Sequence, residues 1–341
     1  MAKYDFCTKI NRHLCFNREH IQACTTGNNT KNQSLLFIRE KYNGEYIDWD
    51  AFFDEQDKIK KAARNGILPD TCIGCHYLKN DEWDNIDVPR VFKDVMISHY
   101  LRCNSNCIYC GNHIPYDKKD GKKESYDSYP VIKDLVEKGY INSDTVIDFA
   151  GGEPTLYYRF DDILSFLVDN NINNILVNSN CILYSKAIEK GIKAGKVSLC
   201  VSIDAGSKEV HKLVKGVPSY DKVWKHLKMY SKTKSSIYRN TLRLKFIVIP
   251  DVNDSEKEID LFIQNAKNTA VDYLILNADN NIFIKEMSEE ERRNNLSKVV
   301  KLSEYFISKC KQENISFVLE FNVRSAYTIL NKNVPANSYS H

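Results

Sequence analysis

Val95-Met96-Ile97-Ser98-His99-Tyr100-Leu101-Arg102-Cys103-Asn104-Ser105-Asn106-Cys107-Ile108-Tyr109-Cys110 is an apolar run that delivers the chain to three cysteines. The three thiols fall within eight residues. On one short loop they can hold three irons of a cubane and leave the fourth without a ligand from that loop, whereas iron–sulfur clusters ordinarily take four thiolates. A coordination position left open separates a reactive metal site from a closed structural one. Zinc would need a fourth nitrogen or sulfur ligand, for which His113 is near. Plain buried thiols are the other alternative.

Working outward, the chain alternates strand and helix. Val95–Leu101 reads as the first strand, and Val131–Lys138, behind Pro130, as a helix. Thr145–Ala150 is a strand that ends on Gly151-Gly152-Glu153-Pro154. Helices follow over 161–168, 186–193 and 220–232, interleaved with strands 174–177, 197–203 and 242–249. Ser255-x-x-Glu258 and Ser288-x-x-Glu291 are capping boxes that open two further helices around a sixth strand, 271–276. Residues 316–321 are read as an extra strand, and the last dozen residues as a loose tail. Strands that alternate with helices predict parallel βαβ units wound one way. The expected fold is therefore α/β, a partial (βα)6 TIM-type barrel with a small N-terminal Cys-rich module. In such barrels the chemistry sits at the carboxyl ends of the strands, where both the cysteine loop and Gly-Gly-Glu-Pro fall.

Strand periodicity assigns faces. Val197, Leu199, Val201 and Ile203 share one side; Ser198, Cys200, Ser202 and Asp204 share the other. The apolar set should meet helices, which turns Ser202 and Asp204 inward near the open end; an exposed polar face is the alternative. Leu242, Leu244, Phe246 and Val248 repeat the pattern against Arg243, Lys245 and Ile247, so an inward Lys245 can meet a carboxylate. A solvated edge strand would show the same alternation.

The first 88 residues differ. Leu35–Arg39 and Glu45–Asp48 flank Asn43-Gly44, a hairpin signal, and a helix from Trp49 to Arg64 stops at Gly66. Cys15, Cys24, Cys72 and Cys75 bracket this segment, with Cys7 as a spare or in place of Cys15, and Cys72-Ile73-Gly74-Cys75 is a tight metal-binding turn. An iron–sulfur cluster, zinc or no metal all remain open for them. The expected division is 1–88 for this module, 89–285 for the barrel, and 286–341 for a terminal helix, extra strand and tail.

Composition narrows the class. With 48 basic and 45 acidic residues the formal charge is +3, which gives no footing for a nucleic-acid partner or an acidic membrane surface. No apolar run approaches the length of a membrane span, and the first residues lack a signal-peptide core, so the expected location is cytoplasmic. Eleven cysteines in a reducing compartment point to metal or redox chemistry rather than disulfides. Cys181, Cys200 and Cys310 read as buried small apolar residues.

Cys103-x3-Cys107-x2-Cys110, with Tyr109 before the last cysteine, resembles the radical S-adenosylmethionine (radical SAM) enzymes. Asp148–Pro154 is similar to their glycine-rich motif, and segments 201–216 and 246–254 are similar to stretches after their fourth and fifth strands. The resemblance covers about residues 92–280. It implies a 4Fe–4S cluster on Cys103, Cys107 and Cys110, with SAM chelating the fourth iron. One electron, from a flavodoxin- or ferredoxin-type donor, would cleave SAM to methionine and a 5′-deoxyadenosyl radical that takes hydrogen from a substrate. It implies that Gly151, Gly152 and Glu153 receive the methionine end of SAM, Glu153 accepting from its ammonium, and that Tyr109 meets the adenine through its backbone. Ser179, Ser202 and Lys215 are further SAM candidates; Asp204, His99 and Lys245 are assigned to the substrate side. Asn178-Ser179-Asn180 stands where the family often has Thr-Asn-Gly, and Ala205 replaces a common Gly. The N-terminal cysteines resemble the auxiliary-cluster modules called SPASM or twitch domains, which implies a second 4Fe–4S cluster, although in relatives they usually follow the barrel. Modification of a peptide, a saccharide or another small molecule fits this reading. A non-catalytic iron–sulfur relay and a zinc-stabilised binding protein are the alternatives.

Overall fold

The fold is that of a computed structural model, which describes all residues except 1–2, 19–20, 25–46, 70–71, 74, 76, 84–89, 112–113, 116–125, 235–240 and 336–341. The expected hairpin around Asn43-Gly44 lies outside the described residues, as does His113. The chain forms two compact units, residues 1–101 with 119–176, and residues 102–118 with 177–341.

In the first unit, strand Asp94–Ile97 pairs in parallel with Val146–Phe149 and, on its other side, with His13–Phe16. Ile21–Gln22 turns back antiparallel on His13–Phe16, and Tyr4–Phe6 pairs antiparallel with Lys79–Asp81. Helix Trp49–Arg64 spans the expected residues and ends before Gly66, whose φ of 74° is left-handed. Its Trp49, Phe52 and Phe53 are buried and pack on Phe92, and Trp49 and Phe53 also meet Tyr140. Trp49 Nε1 donates to Asp134 Oδ2 at 2.5 Å, so the indole has a partner for its polar end. A second apolar cluster gathers Tyr4, Phe6, Ile10, Ala63, Cys72 and Trp83. Helices Tyr129–Glu137 and Phe160–Asp169 complete the unit.

In the second unit, strands Val197–Ser202, Leu242–Val248, Tyr273–Ala278 and Ser316–Leu319 pair in parallel in that order. Helices Lys186–Lys193, Tyr220–Thr233, Glu256–Asn268 and Glu289–Gln312 lie where the periodicity predicts them. Ser255 and Ser288 accept from the main-chain N–H of Glu258 and Glu291, each cap stabilising its helix by about 1 kcal/mol. Along Leu242–Val248 the even residues are buried and the odd ones half-buried, as the alternation requires. The alternation of parallel strands and helices is that of a partial (βα)6 TIM-type barrel. Among the described residues no helix is long and apolar enough to cross a membrane.

Candidate functional site

The cysteine loop belongs to the second unit. Cys103, Cys107 and Cys110 are half-buried and unbridged. Main-chain bonds fix the loop on both sides of Cys107: Asn106 N–H donates to the carbonyl of Lys215 (2.9 Å) and Ile108 N–H to that of Val214 (3.0 Å). Both acceptors lie at the end of helix Lys208–Lys215, which stops on Gly216 at φ 68°. A Cβ on Gly216 would stand 2.7 Å from the Asn106 carbonyl, so the approach requires glycine.

Polar side chains moor the same loop. Tyr109 donates from its hydroxyl to Asp204 Oδ2 at 2.7 Å and accepts from Lys215 Nζ at 2.9 Å. Lys215 and Asp204 form an ion pair with side chains 3% and 0% exposed. Breaking such a buried pair from one side costs about 3–5 kcal/mol. Burial opposes the charge on Lys215, but Asp204 and the loop thiols Cys107 and Cys103 outweigh it and hold the ammonium above its ordinary value. Burial pushes the Cys107 thiol up, and Lys215 opposes the push. Asp204 is pinned in turn: its Oδ1 accepts from Ile247 N–H (2.8 Å) and its carbonyl from Asn253 Nδ2 (2.8 Å). Asn180 Nδ2 lies 3.6 Å from Cys103 Sγ, and the N–H of Ser105 3.4 Å from the same sulfur.

Three unbridged thiols with amide donors and a buried ammonium at hand are a donor set suited to an anionic metal–thiolate cluster. Among the described residues no three His, Cys, Asp or Glu side chains converge on a single metal-ion position. The thiolates of a cubane each bind a different iron, so they do not need to converge.

The other assigned residues take these positions. In the first unit, Gly152 N–H donates to the carbonyl of Tyr100 (2.9 Å), and Gly151 lies against the carbonyls of Ser98 and Tyr100. Glu153 is buried, and its Oε1 accepts from the hydroxyl and the N–H of Thr155 (2.6 and 3.3 Å). His99 is 1% exposed in a box of Tyr126, Tyr157, Tyr100 and Phe16, and neither ring nitrogen has a hydrogen-bond partner. In the second unit, the Ser179 hydroxyl accepts from Cys181 N–H (2.9 Å). Ser202 stands in register with Lys245, whose Nζ pairs with Glu320 at 2.9 Å.

Of the N-terminal cysteines, Cys7, Cys15 and Cys72 are buried and Cys24 and Cys75 half-buried. Burial pushes the Cys7 thiol up, with Cys24 and Cys75 adding to the rise. Cys15 is pushed up to about 11, mainly by burial, with Cys24 again contributing. Cys75 N–H closes the Cys72–Cys75 turn on the carbonyl of Cys72 at 3.0 Å.

A sequence model of the Radical SAM superfamily matches residues 97–263. The chain carries a radical SAM domain. Among curated relatives, an uncharacterised protein of Methanocaldococcus jannaschii is 26% identical over 200 residues, 59% of this chain and 61% of its own length. A probable GTP 3′,8-cyclase of Saccharolobus islandicus is 25% identical over 187 residues, 55% of this chain and 57% of that protein. The matches thus span less than two thirds of these relatives. Of solved structures, Streptococcus suis SuiB superposes with a TM-score of 0.54 at 16% identity, over 83% of this chain and 58% of SuiB. The anSMEcpe structure with bound AdoMet gives 0.50 at 18% identity, over 71% of this chain and 68% of that one. These likenesses are likenesses of fold, and they bear out the α/β partial barrel. Residues of the radical SAM domain that sequence reasoning left without a role are Asn180, Thr155 and Asn253. The signal for Asn180 was present, a polar Asn-Ser-Asn run directly after a strand.

Proposed function

We propose that the chain is a radical SAM enzyme whose Cys103, Cys107 and Cys110 hold a 4Fe–4S cluster. The observation that carries this is the loop of three unbridged, half-buried thiols with N–H donors on Cys103, inside a radical SAM domain. When bound, the cluster and SAM supply a carbon-centred radical by one-electron cleavage. Glu153, its rotamer fixed by Thr155, accepts the ammonium of SAM beside the main chain of Gly151 and Gly152. Tyr109 offers its backbone to the adenine, and Ser179 and Ser202 offer hydroxyls to the ribose. Lys245, already oriented by Glu320, stands on the substrate side, whereas His99 is enclosed by its aromatic box. A flavodoxin- or ferredoxin-type protein delivers the electron.

The test is anaerobic reconstitution followed by SAM and dithionite. The wild-type protein should release 5′-deoxyadenosine, and Cys107→Ala should not. A cluster that forms without cleaving SAM would leave a relay. Zinc in place of iron would leave a binding module.

A peptide is the substrate class we favour, because SuiB has been solved with its precursor peptide SuiA. Offered a perdeuterated peptide digest, the enzyme should place deuterium in 5′-deoxyadenosine. Transfer from a perdeuterated saccharide digest alone would reverse that choice. A second 4Fe–4S cluster on Cys15, Cys24, Cys72 and Cys75, beside Cys7, is proposed for the N-terminal segment. The influence of Cys24 and Cys75 on the Cys7 thiol supports a gathering of thiols there. Cys75→Ala should then lower bound iron by about four per chain; an unchanged count would remove this cluster.

A further inference from the structure

We infer that Lys215, Asp204 and Tyr109 form a positioning clamp that sets the geometry of the cluster loop from within the protein. The inference rests on the reading of Cys103, Cys107 and Cys110 as cluster ligands. Family resemblance would send Lys215 to SAM, and strand alternation would send Asp204 to the substrate side. Here they are turned on each other and on the loop.

Lys215 holds the loop at two levels. Its carbonyl takes the N–H of Asn106, one residue before Cys107, and its ammonium donates to the hydroxyl of Tyr109, one residue before Cys110. Asp204 accepts the Tyr109 hydroxyl hydrogen bond on the oxygen that also faces Lys215. The far side of Asp204 is immobilised by Ile247 N–H and Asn253. The position of Tyr109 is thus transmitted to the start of the next strand-end loop through a carboxylate with no exposed surface. A phenol held between two ligating cysteines fixes the separation of their sulfurs, and a separation fixed before the cluster arrives favours a particular cubane geometry. The buried ammonium also places one positive charge by a cluster whose thiolates are negative.

The test compares Tyr109→Phe and Lys215→Met with Lys234→Met, which removes another ion pair of the same unit, to Asp272 at the amino end of a strand. Each protein is reconstituted, reduced and titrated with SAM. Three quantities are read: the electron paramagnetic resonance spectrum with and without SAM, the rate of iron loss to a chelator, and the melting temperature of the cluster-free chain. Tyr109→Phe and Lys215→Met should change the g-values or blunt their SAM response, and lose iron about tenfold faster. Lys234→Met should lower the melting temperature and leave both cluster readouts at wild type. Should Lys215→Met fail to fold, Tyr109→Phe alone decides, because it deletes one hydroxyl and strands no charge. Wild-type spectra and wild-type iron retention in Tyr109→Phe overturn the clamp. A wild-type protein that takes up no iron, or whose cluster ignores SAM, overturns the underlying reading instead.

Discussion

Asn180 reaches back from the end of strand Asn174–Ser179 and lays its side-chain amide 3.6 Å from the sulfur of Cys103. The same nitrogen meets Asn104 Oδ1 (2.6 Å) and Ser105 Oγ (3.2 Å), and Asn180 Oδ1 accepts the N–H of Ile182 (2.9 Å). The amide is therefore held at both ends. A donor on a cluster thiolate stabilises the reduced, more negative state, because it offsets the added charge. Asn180→Ala should lower the midpoint potential of the reconstituted cluster, on the order of tens of millivolts. A spectroscopic redox titration measures it. A potential unchanged or raised would mean that the amide does not serve that sulfur.

Gly151 meets a steric limit rather than a purely conformational one. Its φ is 97°, and a Cβ would stand 2.8 Å from the Tyr100 carbonyl and 2.9 Å from that of Ser98. Both are backbone atoms at the end of the first barrel strand and cannot swing aside. Gly151→Ala should destabilise the cluster-free protein by about 2–4 kcal/mol. Gly139 is the comparison: φ is 69° but nothing lies within 4 Å, so Gly139→Ala should cost only about 1 kcal/mol. Urea unfolding of both variants decides. Equal costs would mean that the strand end yields to the added methyl.

How much of this was legible follows from which interactions are local. Lys186–Lys193 was readable to the residue, since Ser185 caps its start and the apolar spacing is helical. Leu242–Val248 was readable from period two alone. By contrast, His13–Phe16 is a four-residue run whose partner lies some eighty residues on, and no local pattern announces that parallel pairing. The strand expected over 316–321 stops at Leu319, and helix Phe321–Ile329 begins with an exposed Phe321 and no side-chain cap. Nothing in that stretch marks a helix start. At the site, the cysteine loop was legible because its ligands are adjacent in sequence. The pairing of Asp204 with Lys215 was not, because strand polarity alone assigned Asp204 to the barrel interior without naming what fills the space.

His99 contributes to the acid limb of stability together with His13 and His211, whose pKa values burial lowers to about 4. Burial lowers its pKa from the ordinary 6.5 to about 3. The unfolded chain binds this proton at higher pH than the folded one, so stability is full above about pH 6.5 and declines as pH falls toward 3. At pH 5 the loss from this group is about 2 kcal/mol. Phe in its place would keep the aromatic box with Tyr126 and Tyr157 and could take up no proton. His99→Phe should therefore flatten the pH profile of the melting temperature between 7 and 4, the difference from wild type widening as pH drops. Parallel profiles would assign the acid limb to other groups.

The N-terminal residues bear on whether the radical SAM domain can stand alone. Strand His13–Phe16 adds to the edge of Asp94–Ile97 with four residues in register, and Ser98 donates both its N–H (2.9 Å) and its hydroxyl (3.0 Å) to the carbonyl of Phe16. Helix Trp49–Arg64 covers Phe92 and Tyr140 with three large rings. A chain that begins at residue 89 would expose an unpaired strand edge beside an uncovered aromatic patch, the combination that drives aggregation. Such a truncation should be recovered mainly as insoluble protein, whereas Trp49→Ala in the full chain should stay soluble but lose about 3–5 kcal/mol. Sedimentation of the truncated chain and urea unfolding of the point variant measure the two. A soluble, cooperatively melting 89–341 fragment would show that the strand addition and the aromatic cover are dispensable, and that the barrel strands hold together without them.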